Sequence, residues 1–273
     1  MSLWLCRQES VKQPYYINDL DIHVYSSMEL SYVIVHNPLF VMEGFVTDEL
    51  FLFIQEQLGL TFVAIKMAKL KSSGEKEEDI LALFLQEAEY CSSGEISHFK
   101  QKVLSFRKMD PIDYRKTRAD YLMGVGQYTR AVALYDSILA LPRDKHLNDS
   151  YIAKIYYNRA TAYARLFQFE QAVRSYEKSY LFAKDEKVLK ALYFLECLEP
   201  EIVIGEHCGS QMNSEKRLEW KSEYDEVGAL LTEREEQNRL NELFERDGDG
   251  SMEGLQEILK GWKKKYRRMQ SLA

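Results

Sequence analysis

Five cations interleaved with two aromatic rings, Trp262, Lys263, Lys264, Lys265, Tyr266, Arg267 and Arg268, form a dense basic run near the carboxyl end of the chain. Such residues suit RNA, an acidic partner or an anionic membrane surface. The same cations also complement the C-terminal dipole of a helix and an acidic segment before it. Cys197, followed by the pair His207 and Cys208, is the arrangement with metal-ligating chemistry. A structural zinc site needs four ligands in closely spaced pairs, and no second pair accompanies these, so no metal site is expected. A Gly-rich phosphate loop, a nucleophile elbow and an H-E-x-x-H motif are all missing from the sequence, so we expect no catalytic residue, no cofactor and a non-enzymatic role.

The elements that must position these residues read as helical. Only 5 Pro and 13 Gly interrupt the chain, which is 46% hydrophobic and has ample material for a packed core. With 36 basic against 43 acidic residues the net charge is −7, which argues against generic nucleic-acid binding. The first residues lack a cationic segment ahead of a long apolar core, and no apolar run approaches the roughly 20 residues that span a bilayer, so a cytoplasmic location is expected. The segments LWLC, PYYI and DIHVY alternate apolar and polar residues as short strands or a hairpin do. Ser27 then reads as an N-cap, Asp48 opens a second helix ended by Gly59, and Phe62 to Leu70 continues helically up to a polar break. The helix ELFLFIQEQLG is acidic and apolar, which does not suit a DNA-reading element. Glu77 to Tyr90 and Glu95 to Arg107 form a further helical pair. Beyond the break at Glu199 to Ser214, Glu215 to Glu245 reads as one long amphipathic helix, and Met252 to about Met269 as the last. Between them RDGDGS has part of a calcium-loop spacing, but counted from Glu245 the bidentate position is Gln256, so a tight turn is expected.

An internal repeat orders the middle of the chain. Arg118 to Leu139 and Arg159 to Tyr180 align residue for residue, pairing Ala119 with Ala160, Tyr128 with Phe169, Ala131 with Ala172, Val132 with Val173 and Tyr135 with Tyr176. Small residues mark where two antiparallel helices approach, and aromatic residues fill the space between. Each copy is therefore a helix, turn, helix unit that must stack on neighbours to bury its apolar face.

These residues resemble the tetratricopeptide repeat, with Gly126, Tyr128, Ala131 and Tyr135 in the first copy and Phe169, Ala172 and Tyr176 in the second. Phe167 replaces the turn glycine in the second copy. The signature alanines are 41 residues apart rather than about 34, because LPRDKHLND intervenes and Pro142 stops the helix before it. The resemblance covers about residues 112–184 and implies an all-α, TPR-like α-solenoid. The domain reading is an N-terminal cap over 1–72, helical repeats over 76–198 with clear copies at about 112–141 and 153–184, and a charged helical region over 212–273.

In that family the first helix of each unit lines a concave groove. The resemblance therefore implies a partner-binding surface of Asp113, Lys116, Asp120 and Met123 in the first copy and Lys154, Tyr157, Asn158, Thr161 and Arg165 in the second. Lys116 and Asn158 also match two members of the carboxylate clamp of chaperone-binding repeats. Asp120 stands at an asparagine position of that clamp, and Val188 and Leu192 fall near its last cations, so chaperone-tail binding is not expected. The function implied is a cytoplasmic adaptor holding a peptide or helix of another protein. The alternatives are a peptide-sensing bacterial regulator, and RNA or acidic-partner binding through Lys263, Lys264, Lys265, Arg267 and Arg268. A groove filled by the chain's own carboxyl-terminal helix also stays open.

Overall fold

The computed structural model describes residues 11–270 apart from 19, 21, 43, 144, 146, 233–234 and 246–248. Within its helices the side chains at 229–232, 235–237, 239, 245, 249–251, 253 and 268 also lie outside the description. The described backbone is predominantly helical with one two-stranded sheet. It divides into two compact units, Met1–Tyr114 and Arg115–Ala273.

In the first unit, β1 (Tyr15–Ile17) and β2 (Ile22–Val24) form the antiparallel hairpin expected from PYYI and DIHVY, with Tyr15 opposite Val24 and Ile17 opposite Ile22. The segment LWLC lies outside the described residues. Helix α1 (Ser27–His36) is capped by Ser26, whose hydroxyl accepts from the Glu29 N–H at 3.1 Å. The cap is one residue earlier than the sequence reading, because Ser26 has the extended backbone of a cap and Ser27 is already the first helical residue. Helix α2 (Asp48–Leu52) starts at a Thr47 cap and passes into a π-helical turn over Phe53–Gln57. Leu50, Phe51, Phe53 and Ile54 are buried there, so most of the apolar side of this helix serves the core. Helices α3 (Thr61–Ser72), α4 (Glu77–Ala88) and α5 (Ser93–Arg107) complete the bundle around Leu30, Ile34, Met67, Phe84, Leu85 and Phe99. Ser92 and Glu95 form a capping box that fixes the start of α5. The buried Glu78 carboxylate accepts from two N–H groups along one edge of the Arg107 guanidinium, Nε at 2.9 Å and Nη2 at 2.7 Å. Such a bidentate pair satisfies a charge that burial alone would penalise. Because α4 and α5 share this core with the hairpin and α1, the division between units falls after Tyr114 and not near residues 72–76.

Helix α6 (Pro111–Gly124) runs across that division, and α7 (Tyr128–Leu139), α8 (Asp149–Arg165), α9 (Phe169–Ala183) and α10 (Glu186–Leu198) follow in the second unit. After the short α11 (Glu206–Gly209), α12 (Ser214–Thr232) packs on α10. Trp220 joins the core of Tyr176, Tyr180, Leu189 and Leu192, and its ring lies 5.9 Å from that of Tyr193. The long helix read over Glu215 to Glu245 is described as two, α12 and α13 (Glu235–Glu245). Helix α14 (Asp249–Gln270) packs on α13, where Gly254 permits a close approach: a Cβ there would lie 2.7 Å from Leu243 Cδ2. Residues 246–248 of RDGDGS lie outside the described residues.

Candidate functional site

The two halves of the repeat are built alike at the level of single hydrogen bonds. Ala119, Ala131, Ala160 and Ala172 are all fully buried. The first helix pair closes with Gln127 N–H on Leu122 O at 2.8 Å, and the second with Gln168 N–H on Tyr163 O at 2.9 Å, at the matching position. Both turns place one residue in the left-handed region, Gly126 at φ +80° and Phe167 at φ +58°. Both tie their helices by a tyrosine hydroxyl: Tyr135 donates to Asp120 Oδ1 at 2.6 Å, and Tyr176 meets Thr161 Oγ1 at 3.0 Å. The insertion between copies is absorbed before Asn148, which caps α8 by accepting from Tyr151 N–H.

Five of the nine groove residues implied by the resemblance have their polar groups or rings engaged inside the repeat. Asp120 is the hub. Its Oδ1 also accepts from Asn158 Nδ2 at 2.9 Å, and its Oδ2 pairs with Lys116 Nζ. An internal carboxylate thus already occupies the two clamp-like residues Lys116 and Asn158. Val188 and Leu192 are buried, so neither presents a side chain to a ligand. Thr161 Oγ1 donates to Tyr157 O, and the Tyr157 ring packs edge-on against Tyr176 at 5.4 Å. Burial pushes the Tyr176 hydroxyl up to about 12, and Thr161 opposes that rise only in part. The Tyr135 hydroxyl is raised further, first by burial and then by its bond to the Asp120 carboxylate. Both hydroxyls therefore stay protonated, and that of Tyr135 donates to the Asp120 carboxylate.

Lys154 and Arg165 behave differently. Both are exposed on α8, and among the described residues neither has an ion-pair partner. Eleven residues apart on one helix, they stand roughly 16 Å apart along its axis. Met123 and Asp113 are half-buried on α6.

Two features were not singled out from the sequence. Arg159 forms an ion pair with Asp136 Oδ1 at 2.7 Å and donates to Ser175 Oγ and Tyr163 Oη, joining α7, α8 and α9. Its signal was weak because one arginine in a helix of mixed charge looks like a solvated residue. The other is a cleft of about 1000 Å³ beside Phe167 and the chain between α10 and α11. In the sequence Phe167 stands out only as a departure from glycine.

The described contacts of the carboxyl-terminal helices fall on α10, α7 and one another. Helix α12 is fixed to α10 by Lys216 with Glu186 at 2.9 Å, Arg217 with Glu196 at 3.0 Å, and Lys190 with Glu223. Helix α14 contacts α7, where Thr129 Oγ1 donates to Met269 O at 3.0 Å. Lys263, Lys264, Lys265 and Arg267 are exposed on α14; the Arg268 side chain lies outside the description. Cys208 is buried, and burial pushes its thiol up to about 11, with Glu177 adding to the rise. Among the described residues no cluster of three or more His, Cys, Asp or Glu could hold a metal ion, and no helix is long and apolar enough to cross a membrane. No family model, curated protein or solved structure matches the chain.

Proposed function

We propose that this chain is a non-enzymatic adaptor of the tetratricopeptide-repeat type, whose α8 face holds an acidic segment of another protein. The observation that carries this reading is the contrast along α8: Tyr157, Asn158 and Thr161 are tied into the repeat, while Lys154 and Arg165 stand exposed with no ion-pair partner among the described residues. Fixed neighbours leave little conformational freedom to lose on binding, and two separated cations select a ligand with acidic groups about three helical turns apart. The half-buried Tyr157 ring supplies an apolar and stacking contact between them.

The test compares the intact protein with the Lys154→Glu, Arg165→Glu double variant, first in affinity capture from lysate and then against the captured segment as a synthetic peptide. A partner retained by the intact protein and lost by the variant, with peptide affinity falling at least tenfold, supports the reading. Equal capture and equal peptide affinity would overturn it. Both positions are exposed, so far-UV circular dichroism should match between the two proteins.

A further inference from the structure

We infer that the cleft beside Phe167 is a self-association site, into which a second copy of this chain docks the basic face of its α14. This inference is independent of the adaptor reading, since it uses neither Lys154 nor Arg165.

The cleft has the chemistry of a receptor for a cationic helix with apolar anchors. Glu170, Glu199 and Glu201 line it together with Glu177, whose Oε1 is taken by the Gly205 N–H at 2.6 Å. Arg174 is the one cation of the lining, and it contacts Glu170 at 3.5 Å. Between these carboxylates two large apolar side chains face solvent, Phe167 at 69% exposure and Val203 at 86%. Phe167 is exposed at a conformational expense: the first copy of the repeat uses Gly126 at this turn, and a left-handed backbone is unfavourable for a residue with a Cβ. A strained, outward aromatic beside an open cleft is the pattern of a ligand contact.

The matching surface is on the same chain. Lys260, Lys263, Lys264 and Arg267 recur at helical spacing along α14 and line one shallow surface with Leu259. Leu259 is 47% exposed and the neighbouring Trp262 49%. This helix is occupied with α13 and α7 in its own copy, through Leu243 and through the bond from Thr129 to Met269, so its cations are offered outward. Charge complementarity and apolar anchors on both sides favour a second copy over an unrelated partner. Because the two patches are different surfaces, the contact is head-to-tail, and in a pair one copy keeps a free cleft and the other a free basic face.

The test uses the full chain, followed by sedimentation velocity at rising concentration. At roughly 100 µM and low ionic strength, where a small charge-steered interface is populated, the intact protein should sediment as dimers and longer chains. Raising salt to about 0.5 M should return it to monomer. Glu199→Lys with Glu201→Lys, and separately Lys263→Glu with Lys264→Glu, should each be monomeric. Mixed together, these two variants should associate again, because the intact basic face of one meets the intact cleft of the other and the two reversed faces also carry opposite charge. Phe167→Gly should weaken association at least fivefold without loss of folded stability. A strictly monomeric intact protein, association that survives in both variants, or a mixture that stays monomeric would overturn the inference. A monomeric intact protein that nevertheless binds a tryptophan-flanked oligolysine peptide, and loses it on Glu199→Lys with Glu201→Lys, would assign the cleft to a foreign basic partner and equally overturn it.

Discussion

Asp120 shows how one side chain decides what a surface can bind. Its carboxylate collects Lys116, Tyr135 and Asn158, so groups that would otherwise be offered to a ligand become part of the repeat. Replacing it with alanine leaves three partners without an acceptor, and Asp120→Ala should lower unfolding free energy by about 2–3 kcal/mol in urea denaturation. The tyrosines give the repeat a signature at high pH. An unfolded tyrosine releases its proton near pH 10, whereas the Tyr176 hydroxyl is pushed up to about 12 and that of Tyr135 is also raised. Between those values the unfolded chain holds fewer protons than the folded one, so stability is at its full value below about pH 10 and falls as pH rises through 12. For Tyr176 alone that loss is about 2–3 kcal/mol. Urea midpoints measured from pH 9 upward should trace the decline, and Tyr176→Phe should make it shallower.

At the scale of the helix pair, the turn and the alanines set the geometry. Gly126 and Phe167 hold the same left-handed turn with opposite ease. Gly126→Ala should therefore destabilise the first pair by about 1 kcal/mol. Phe167→Gly should raise stability by up to about 1 kcal/mol, since the ring it removes is mostly exposed and touches chiefly Phe169. Thermal melts of the two variants should thus shift in opposite directions. Ala131 and Ala172 sit where helices meet with no exposure at all. Ala172→Leu forces the pair apart and should cost about 1–3 kcal/mol by chemical denaturation. Arg159 holds neighbouring helices together by polar contacts, which small buried residues cannot do.

At the scale of the molecule, the chain has two cores with separate residues, one around Phe84 and Leu85 and the other around Tyr176 and Leu192. Phe84 is fully buried, and Phe84→Ala should cost about 3–5 kcal/mol. In native-state hydrogen exchange, protection should fall throughout α1, α4 and α5, while α8 and α9 keep theirs. Uniform loss across both units would show that they unfold as one. The basic run at the carboxyl end acquires meaning only at this scale, because the cleft that matches it is formed by residues distant in sequence.

The helical pairs, the hairpin and the two copies of the repeat were legible because each rests on local periodicity, caps and small residues at fixed spacing. The helical pair read over Glu77 to Tyr90 and Glu95 to Arg107 from such signals runs over Glu77–Ala88 and Ser93–Arg107 in the structure. The position of the division after Tyr114 was not, since it depends on which helices share Phe84 and Phe99 as neighbours, and burial partners are not written in spacing. The list of groove residues divides the same way. Sequence alone determined which side chains lie on the first helices of the repeat. Tertiary structure decided that Asp120 takes Lys116 and Asn158 out of play, leaving Lys154 and Arg165 exposed, because a buried or half-buried polar group must find its partner within the fold before it can serve a ligand.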